Sequence, residues 1–364
     1  MRIALLSTCA VSVPPRAYGG SELVVAELAK MLTHLGHEVV VFASGDSKPA
    51  AELRAHFAEP VWPPNDLAEL RHSAFAWRSV CVENPPFDVV HAHQASAISF
   101  SAVCSTPTVL TLHHHRVDEL IDFYLDFPDV THVAISRRQA QLVPELGVRH
   151  VVHHGLDADL YEAGNGAGNW LAFVGRFAPE KAPHLAIDAA LEVGIPLRLG
   201  GQPHWNNDEY FAREVQPRLR RAGRLVRWDG EVAFKPKLEI MGGARATLFP
   251  IQWEEPFGLV MIESMLVGTP VIAFAAGAAP EVIEDGVTGF LVRSTAEMAE
   301  RIRQVGAIDR KKCRQRARER WSSLRMAREY EHVYADAARK HRHARAHVSS
   351  GVDAHEKRLA DARR

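Results

Sequence analysis

The chain has 364 residues, of which 47% are hydrophobic and 24% charged, and its formal net charge is −1. This composition is typical of a globular protein, the length predicts two domains rather than one core, and the neutral balance argues against a nucleic-acid partner. Four scattered cysteines without a CxxC pair indicate a reducing compartment and no structural zinc. The apolar start, residues 1–7, is too short for a secretory signal, and no apolar run is long enough to cross a bilayer, so we expect a cytoplasmic protein.

Strand and helix patterns alternate along the first half, which predicts a parallel sheet covered by helices. Arg2–Ser7 and Glu38–Phe42 are predicted strands, and Ser21–Leu35 is a predicted helix that ends at Gly36. Residues 47–79 are interrupted by prolines and are predicted to be irregular. Further strands are predicted at Asp88–His93, Pro107–Leu112, His132–Ser136 and His150–His154.

Two features of this half lie after a strand, where ligands of parallel sheets usually bind. Gly19 and Gly20 precede the first helix, and glycines there let a ligand approach the backbone; a simple turn is the alternative, since the spacing is not GxGxxG. His93 ends a strand, where a structural role is the alternative to a chemical one. The run His113–His115 is expected to line a polar cleft rather than bind a metal, because neighbours along a strand point to opposite faces.

A glycine-rich segment, residues 162–169, has no apolar periodicity and is predicted to link two domains. Strands of a second sheet are predicted at Trp170–Val174, Leu197–Gly201, Leu225–Trp228, Ala246–Pro250, Val271–Phe274 and Phe290–Val292. Helices are predicted at Ala296–Val305 and Lys311–Ala338. Residues 339–364 are rich in Arg and His and poor in large apolar residues, which predicts a disordered, solvated basic tail.

Two cations, Arg176 and Lys181, follow the first strand of the second sheet. Arginine can bind a phosphate through two parallel hydrogen bonds, and lysine binds it as a point charge. Cations held in place stabilise the negative charge that develops on a leaving phosphate. The pair therefore predicts a phosphate site, with two surface cations in a solvated loop as the alternative.

The most informative stretch is residues 254–270. Leu259–Val267 is predicted to be a helix that is apolar on nearly every side and therefore buried. Glu263 places a carboxylate inside this helix, which is costly without a partner, and Glu255 lies just before it. The helix N-terminus at Gly258 favours an anion. Carboxylates can bind hydroxyl groups, and the helix end can bind phosphate, so together they predict a sugar nucleotide as ligand. The alternative is that Glu255 only caps the helix and that Glu263 only forms a salt bridge.

The segment Glu255–Gly258 followed by Glu263, two glutamates with seven residues between them, resembles the signature of the retaining glycosyltransferases of family four. That family belongs with the glycogen synthases and phosphatidylinositol mannosyltransferases. The resemblance implies that Glu255 contacts the transferred sugar and that Glu263 holds the ribose of the donor. It also implies donor-binding positions at Phe257, Gly258 and Leu259.

The two cations and a second loop also resemble the family. Arg176 and Lys181 match the motif that holds the donor diphosphate, although Ala182 stands where glycine is usual. The loop that contains Glu231 and Val232 is a weaker match to the segment whose backbone reads the nucleobase.

The first half resembles the family more loosely. Gly19 and Gly20 match a loop near the donor phosphates and the acceptor, and His93 matches a histidine near the reacting sugar. His154 replaces the usual asparagine at the junction between the halves, so the hydrogen bonds of that amide are not expected here. The irregular segment 47–79 is expected to face the acceptor.

The resemblance covers about residues 1–338 and implies an α/β fold of two Rossmann-like domains that face each other across a cleft, the GT-B architecture. The expected divisions are residues 1–161 on the acceptor side, the linker 162–169, the donor domain 170–321, a helix at 322–338 that crosses back to the first domain, and the tail 339–364.

The implied activity is a retaining transfer of a hexosyl group from a nucleotide-diphosphate sugar, of the UDP-glucose or GDP-mannose type, to a hydroxyl acceptor that the sequence does not identify. His93, Arg176, Lys181 and Glu255 are the expected catalytic residues. No cofactor and no metal are expected, since no Asp-x-Asp motif is present. Peripheral membrane contact is compatible with the sequence but not indicated by it. A sugar-nucleotide epimerase and a non-catalytic sugar-nucleotide binder are the alternatives; a dehydrogenase is disfavoured because no GxGxxG opens either half.

Overall fold

The computed structural model describes residues 1–17, 19–203 and 207–361, with side chains described as far as residue 342. The strands are β1 Arg2–Leu6, β2 Glu38–Phe42, β3 Glu52–Arg54, β4 Val89–Ala92, β5 Thr108–Thr111, β6 Thr131–Ala134, β7 His150–Val151, β8 Leu171–Val174, β9 Leu197–Gly200, β10 Val226–Gly230, β11 Thr247–Phe249, β12 Val271–Phe274 and β13 Gly289–Val292.

The helices are α1 Gly20–His34, α2 Asp66–Val82, α3 Asp118–Leu125, α4 Arg137–Leu142, α5 Pro183–Val193, α6 Asp208–Tyr210, α7 Gln216–Ala222, α8 Phe234–Gly243, α9 Leu259–Leu266, α10 Ala279–Val282, α11 Thr295–Gln304, α12 Arg310–Arg320 and α13 Ser323–Asp361. A π-helical turn at Phe211–Val215 joins α6 to α7.

The strands form two parallel sheets with the same winding. The first has the order β3-β2-β1-β4-β5-β6-β7 and the second the order β10-β9-β8-β11-β12-β13. In each sheet the order reverses at one point, between β1 and β4 and between β8 and β11. Ligands of open α/β sheets bind at the carboxyl ends of the strands at such a reversal. The predicted class of two Rossmann-like domains is therefore confirmed.

The first sheet is buried on both faces, as parallel sheets usually are. Along β1, Ile3 and Leu5 point into a core shared with α1 and α13, whereas Ala4 and Leu6 point into the core on the α2 side. This alternation is the two-residue period of a strand, and it explains why a short apolar run was enough to identify β1.

Helix α9 is the buried centre of the second domain. Met261, Ile262, Met265 and Leu266 have no exposed surface, and they belong to the core that joins the second sheet to its helices. The prediction of a helix apolar on nearly every side is confirmed. Gly268 follows α9 with a φ of 82°, a left-handed backbone that suits glycine after a helix end.

Helix α13 crosses back to the first domain, as the family resemblance implied. Its Met326, Tyr330 and Tyr334 are fully buried in the core between α1 and the first sheet. The Tyr330 hydroxyl lies 2.7 Å from Thr111 Oγ1, and the Tyr334 hydroxyl lies 2.9 Å from His91 Nδ1. Helix α13 therefore packs against α1 and the first sheet and stabilises the first domain.

Two predictions about irregular segments are corrected. Residues 47–79 contain β3 and most of α2; the helix was missed because its buried face includes His72 and Ser73 and so shows no apolar stripe. The tail predicted to be disordered is helical to Asp361, within α13. Ala and Arg are frequent in it, and both favour helix. Residues 362–364 lie outside the described residues.

Candidate active site

The candidate site lies at the reversal point of the second sheet. The loop with Arg176 and Lys181 follows β8, and the loop with Glu255 follows β11, its neighbour in the sheet. Both loops emerge from the carboxyl edge, beside the N-terminus of α9. The parallel sheet thus brings together Lys181 and Glu255, which are 74 residues apart in sequence.

Glu255 is buried, and its carboxylate is held through one oxygen. Lys181 Nζ forms an ion pair with Oε2, and the indole Nε1–H of Trp253 donates to the same oxygen at 2.7 Å. Among the described residues, none is hydrogen-bonded to Oε1. Oε1 is also not one of the fully buried atoms in the described part of the chain. It is therefore accessible to a ligand.

Glu263 repeats this arrangement inside α9, where it is 4% exposed. Lys237 of α8 donates to Oε1 at 2.5 Å, and the Tyr161 hydroxyl donates to Oε1 at 3.3 Å. Burial and the nearby Glu263 raise the pKa of Tyr161 well above its usual value, so the phenol keeps its proton. Oε2 of Glu263 has no hydrogen-bond partner among the described residues. The predicted cost of a buried carboxylate is thus offset by Lys237.

The N-terminus of α9 follows the loop that carries Glu255, and Glu263 lies in the second turn of the helix. Gly258 is the residue before the helix, with a φ of 87°, and no side chain caps its backbone N–H groups. A Cβ at this position would lie 2.7 Å from the Met261 side chain and 3.1 Å from Phe249, so both the backbone and the space require glycine. Uncapped N–H groups and the positive end of the helix dipole favour an anion here. The neighbouring Phe257 is buried.

Arg176 is half-buried in the loop after β8, and its Nη2 lies 3.6 Å from Glu180 Oε1. Lys181 is joined to Glu255 as described above. Ala182, which stands where the family has glycine, adopts a left-handed backbone with φ 50°. A residue with a Cβ is strained in that region, typically by about 1–2 kcal/mol, which explains why glycine is usual at this place.

The two domains meet across the cleft at the predicted glycine loop. A Cβ on Gly20 would lie 3.6 Å from Leu259 Cδ1, at the first residue of α9. Gly19 precedes α1, and a Cβ there would press against Pro15 at 2.7 Å. The structure therefore brings these glycines close to the donor-side helix.

His93 is buried, so it has little surface that a ligand could contact. It is 3% exposed, its Nδ1 lies 2.9 Å from His113 Nε2, and its Nε2 has no hydrogen-bond partner among the described residues. The ring of His113 stacks on His154 at 5.3 Å, and His154 contacts Phe257 at 5.0 Å. Two imidazoles thus stand between His93 and the loop before α9.

Burial keeps these imidazoles neutral. It lowers the pKa values of His93 and His154 well below the usual value and lowers that of His113 to about 3. A neutral imidazole donates one hydrogen bond and accepts one, so the stack can hold and orient hydroxyl groups. The three imidazoles of this stack carry no positive charge at neutral pH.

Glu231 and Val232 lie at the edge of the site. Glu231 is exposed and accepts a hydrogen bond from Gln202 at 3.2 Å, whereas Val232 packs against Gly200. The segment leads directly into α8, whose Lys237 reaches Glu263.

Further contacts hold the cleft between the domains. Arg138 donates to both oxygens of Glu254, at 2.8 and 2.6 Å, and lowers the pKa of that carboxyl. Glu281 accepts the backbone N–H groups of Arg137 and Arg138 at 2.9 and 2.7 Å, and its Oε2 lies 2.8 Å from His153 Nε2. These bonds fix the first domain against the loops that carry the candidate site.

Two family models match the chain. The model for glycosyl transferases group 1 matches residues 163–320, and the model for glycosyltransferase family 4 matches residues 18–160. Together they cover every strand except β1, and they include Glu255, Glu263, Arg176 and Lys181.

The chain is a family 4 glycosyltransferase with the GT-B fold.

Curated relatives of this glycosyltransferase include a phosphatidyl-myo-inositol mannosyltransferase from Mycobacterium tuberculosis, 28% identical over 80% of this chain and 82% of the relative. A D-inositol 3-phosphate glycosyltransferase from Mycobacterium leprae is 31% identical over 39% of this chain and 36% of the relative. These relatives agree with glycosyl transfer as the activity of the family, whereas they do not identify the donor sugar or the acceptor of this chain.

Solved structures agree in fold. AviGT4, a glycosyltransferase involved in avilamycin A biosynthesis, superposes with a TM-score of 0.71 at 25% identity over 93% of this chain and 98% of its own. HepE from Anabaena in complex with UDP and glucose gives 0.73 at 21% identity, over 92% and 100%. Sucrose-phosphate synthase from Thermosynechococcus elongatus gives 0.78 at 18% identity, over 92% and 99%.

Several residues of the site were not found from the sequence. Lys237, Trp253 and Tyr161 are partners of the two glutamates, and no spacing in the sequence connects them to Glu255 or Glu263. His113 was expected only as a polar lining. Its place beside His93 could have been found, since their strands β4 and β5 are neighbours and both residues follow the strand ends.

Two general predictions remain open. In the described part of the chain, no three or more His, Cys, Asp or Glu side chains are grouped so as to hold a metal ion, and metal independence stays a prediction. No described helix is both long and apolar enough to cross a membrane, and a cytoplasmic location likewise stays a prediction.

Proposed function

We propose that this glycosyltransferase moves a hexosyl group from a nucleotide-diphosphate sugar, of the UDP-glucose or GDP-mannose type, to a hydroxyl acceptor with retention of the anomeric configuration. One observation carries the proposal: Glu255 and Glu263 lie on either side of the α9 N-terminus, which no described side chain caps, and the described residues hold each carboxylate through a single oxygen. The second oxygen of each is left for hydroxyl groups of a donor whose phosphates lie at the helix end.

The roles of the two glutamates are those that the family resemblance implies. Glu263 takes the ribose hydroxyls, and Glu255 takes hydroxyls of the transferred sugar. Arg176, Lys181 and the α9 N-terminus neutralise the departing diphosphate. Loss of one such partner of the developing charge typically lowers the rate on the order of 10²- to 10³-fold.

Retention does not require a covalent glycosyl-enzyme in this scheme. The bond between the anomeric carbon and the diphosphate oxygen breaks, the acceptor oxygen bonds to the same face, and the departing diphosphate oxygen takes the acceptor proton. No side chain has to accept or release a proton. The low pKa values of His93 and His113 disfavour a role as general acid near pH 7, so these neutral imidazoles suit hydrogen bonding instead.

The relatives support the donor more than the acceptor. The structure of HepE contains UDP and glucose, and a mycobacterial relative is a mannosyltransferase. Both fit a hexosyl donor. The acceptors named for the mycobacterial relatives are inositol compounds, and we extend only their hydroxyl chemistry to this chain.

The test is incubation with UDP-glucose and with GDP-mannose in the presence of EDTA, followed by proton NMR of the released or transferred sugar. An α-linked donor should give an α-configured first product by transfer or by slow hydrolysis. Conversion of the donor to another sugar nucleotide without an acceptor would indicate an epimerase. Tight binding with neither transfer nor hydrolysis would indicate a non-catalytic binder. A β-configured first product would overturn retention.

A further inference from the structure

Trp253 belongs to the loop after β11 that also carries Glu255, and it contacts the first domain. Its indole Nε1–H donates to Glu255 Oε2 at 2.7 Å, and the Lys181 ammonium lies 4.9 Å from the ring centre. On the first-domain side, the His115 ring lies 5.0 Å from the indole. The half-buried indole is therefore fixed by contacts with a carboxylate, a cation and the opposite wall of the cleft.

Lys181 and Trp253 bind the same oxygen of Glu255, but they differ in what a donor does to them. A diphosphate attracts an ammonium, and lysine is a mobile point charge. An indole N–H is a neutral donor that accepts nothing, so a phosphate competes for it weakly against a carboxylate 2.7 Å away. When the diphosphate draws the Lys181 charge, the Trp253 hydrogen bond is the one that keeps Glu255 in place.

We propose that Trp253 is a positioning residue for donor-sugar recognition: it fixes Glu255 through Oε2 so that Oε1 accepts a hydrogen bond from a hydroxyl of the transferred hexose. This inference rests on the proposed function, because it requires Glu255 to contact the sugar. It adds that two groups of residues recognise the two parts of the donor. Trp253 acts on recognition of the sugar through Glu255, whereas Glu263 and the cations recognise the nucleoside diphosphate.

Loss of the Trp253 N–H should therefore weaken use of the nucleotide sugar without weakening binding of the nucleoside diphosphate. A hydrogen bond to a charged group contributes an amount that corresponds to roughly a 10- to 100-fold change in an equilibrium or rate. Trp253→Phe keeps an aromatic ring against His115 and Lys181 but removes the N–H. We expect kcat/KM for the nucleotide sugar to fall on the order of 10- to 100-fold, whereas the Kd of the nucleoside diphosphate alone stays within about 2-fold of the wild type.

A matched control and a rescue separate this role from a structural one. Trp170 belongs to the same domain, is also half-buried, and donates its indole N–H to the Ile240 carbonyl at 3.0 Å. Trp170→Phe removes a comparable hydrogen bond away from Glu255 and should leave kcat/KM unchanged. Trp253→His returns a ring N–H to the position and should recover part of the loss.

The experiment measures kcat and KM for UDP-glucose or GDP-mannose, and the Kd of UDP or GDP by calorimetry, for the wild type and the three variants. Equal kcat/KM for the wild type and Trp253→Phe would overturn the inference. So would equal losses in Trp253→Phe and Trp170→Phe, or a parallel loss of nucleoside-diphosphate affinity in Trp253→Phe. If the wild type bound neither nucleotide sugar, the proposed function itself would fail. That outcome is distinct from a failure of the inference, which is judged from the differences between the wild type and the variants.

Discussion

Glu263→Gln removes one charge from a side chain that is 4% exposed and keeps nearly the same shape. The Glu263 carboxylate and the Lys237 ammonium are 2.5 Å apart. At an effective dielectric constant of about 20, this separation corresponds to a gross attraction of about 7 kcal/mol, most of which offsets the desolvation of the two groups. Removing one partner leaves the other charge buried, so we expect the free energy of unfolding to fall by about 3–5 kcal/mol.

The same change should weaken nucleotide binding for a separate reason. If Oε2 accepts a ribose hydroxyl, the loss of its charge removes about 1.5–3 kcal/mol, roughly a 10- to 150-fold rise in Kd. Stability and affinity can be separated by Lys237→Met, because replacing a buried ion pair by groups of similar volume is often nearly neutral. The double variant should therefore regain most of the lost stability without regaining affinity.

The assay is a double-mutant cycle with urea unfolding in the absence of nucleotide and calorimetric titration with UDP and GDP. We expect the two single variants to be destabilised and the double variant to be close to the wild type in stability. We also expect weak binding in both proteins that carry Glu263→Gln, whether alone or combined with Lys237→Met. Wild-type affinity in the double variant would refute the reasoning, because Glu263 would then be only the ion-pair partner of Lys237.

Three other predictions concern the helix start, the domain junction and the metal. Gly258→Ala places a Cβ in a left-handed backbone, 2.7 Å from the Met261 side chain, so we expect a loss of at least about 1–2 kcal/mol in unfolding free energy together with weaker nucleotide binding. Glu27 of α1 is buried and accepts the backbone N–H of Asp157 at 3.0 Å, where the first domain ends. Burial raises the pKa of Glu27 from 4.5 to about 7. The resulting contribution to stability is complete below pH 4.5 and is lost as the pH rises to 7, about 3 kcal/mol at about 1.4 kcal/mol per pH unit. Glu27→Gln should flatten the stability profile in that window, and an unchanged slope would contradict the assignment. Transfer should proceed fully in EDTA, and a loss that Mg²⁺ restores would disprove metal independence.

The sequence was most informative where one local pattern determines the structure. Leu259–Leu266 could be read as a buried helix because it is apolar on all sides and is bounded by Gly258 and Gly268. The short strands could be read because both faces of a parallel sheet are buried, so each strand is a continuous apolar run. Candidate residues at the strand ends followed from that topology alone.

Elements whose environment depends on distant residues were harder to predict. Helix α2 buries His72 and Ser73 instead of a clear apolar stripe, so its periodicity was weak. Lys237 and Trp253 became partners of the two glutamates only through the packing of α8 and of the loop after β11. Which oxygen of a carboxylate is held, and which is left for a ligand, is a property of that packing and not of any spacing.

The most direct test of the donor site is a thermal-shift titration of the wild type and Glu263→Ala with UDP, GDP, ADP and their common sugars. A ligand that binds only the folded state raises the melting temperature. We predict a rise with one nucleotide class in the wild type and its loss in Glu263→Ala, which would also identify the base. No rise with any nucleotide would contradict the donor site, and an equal rise in both proteins would remove Glu263 from it.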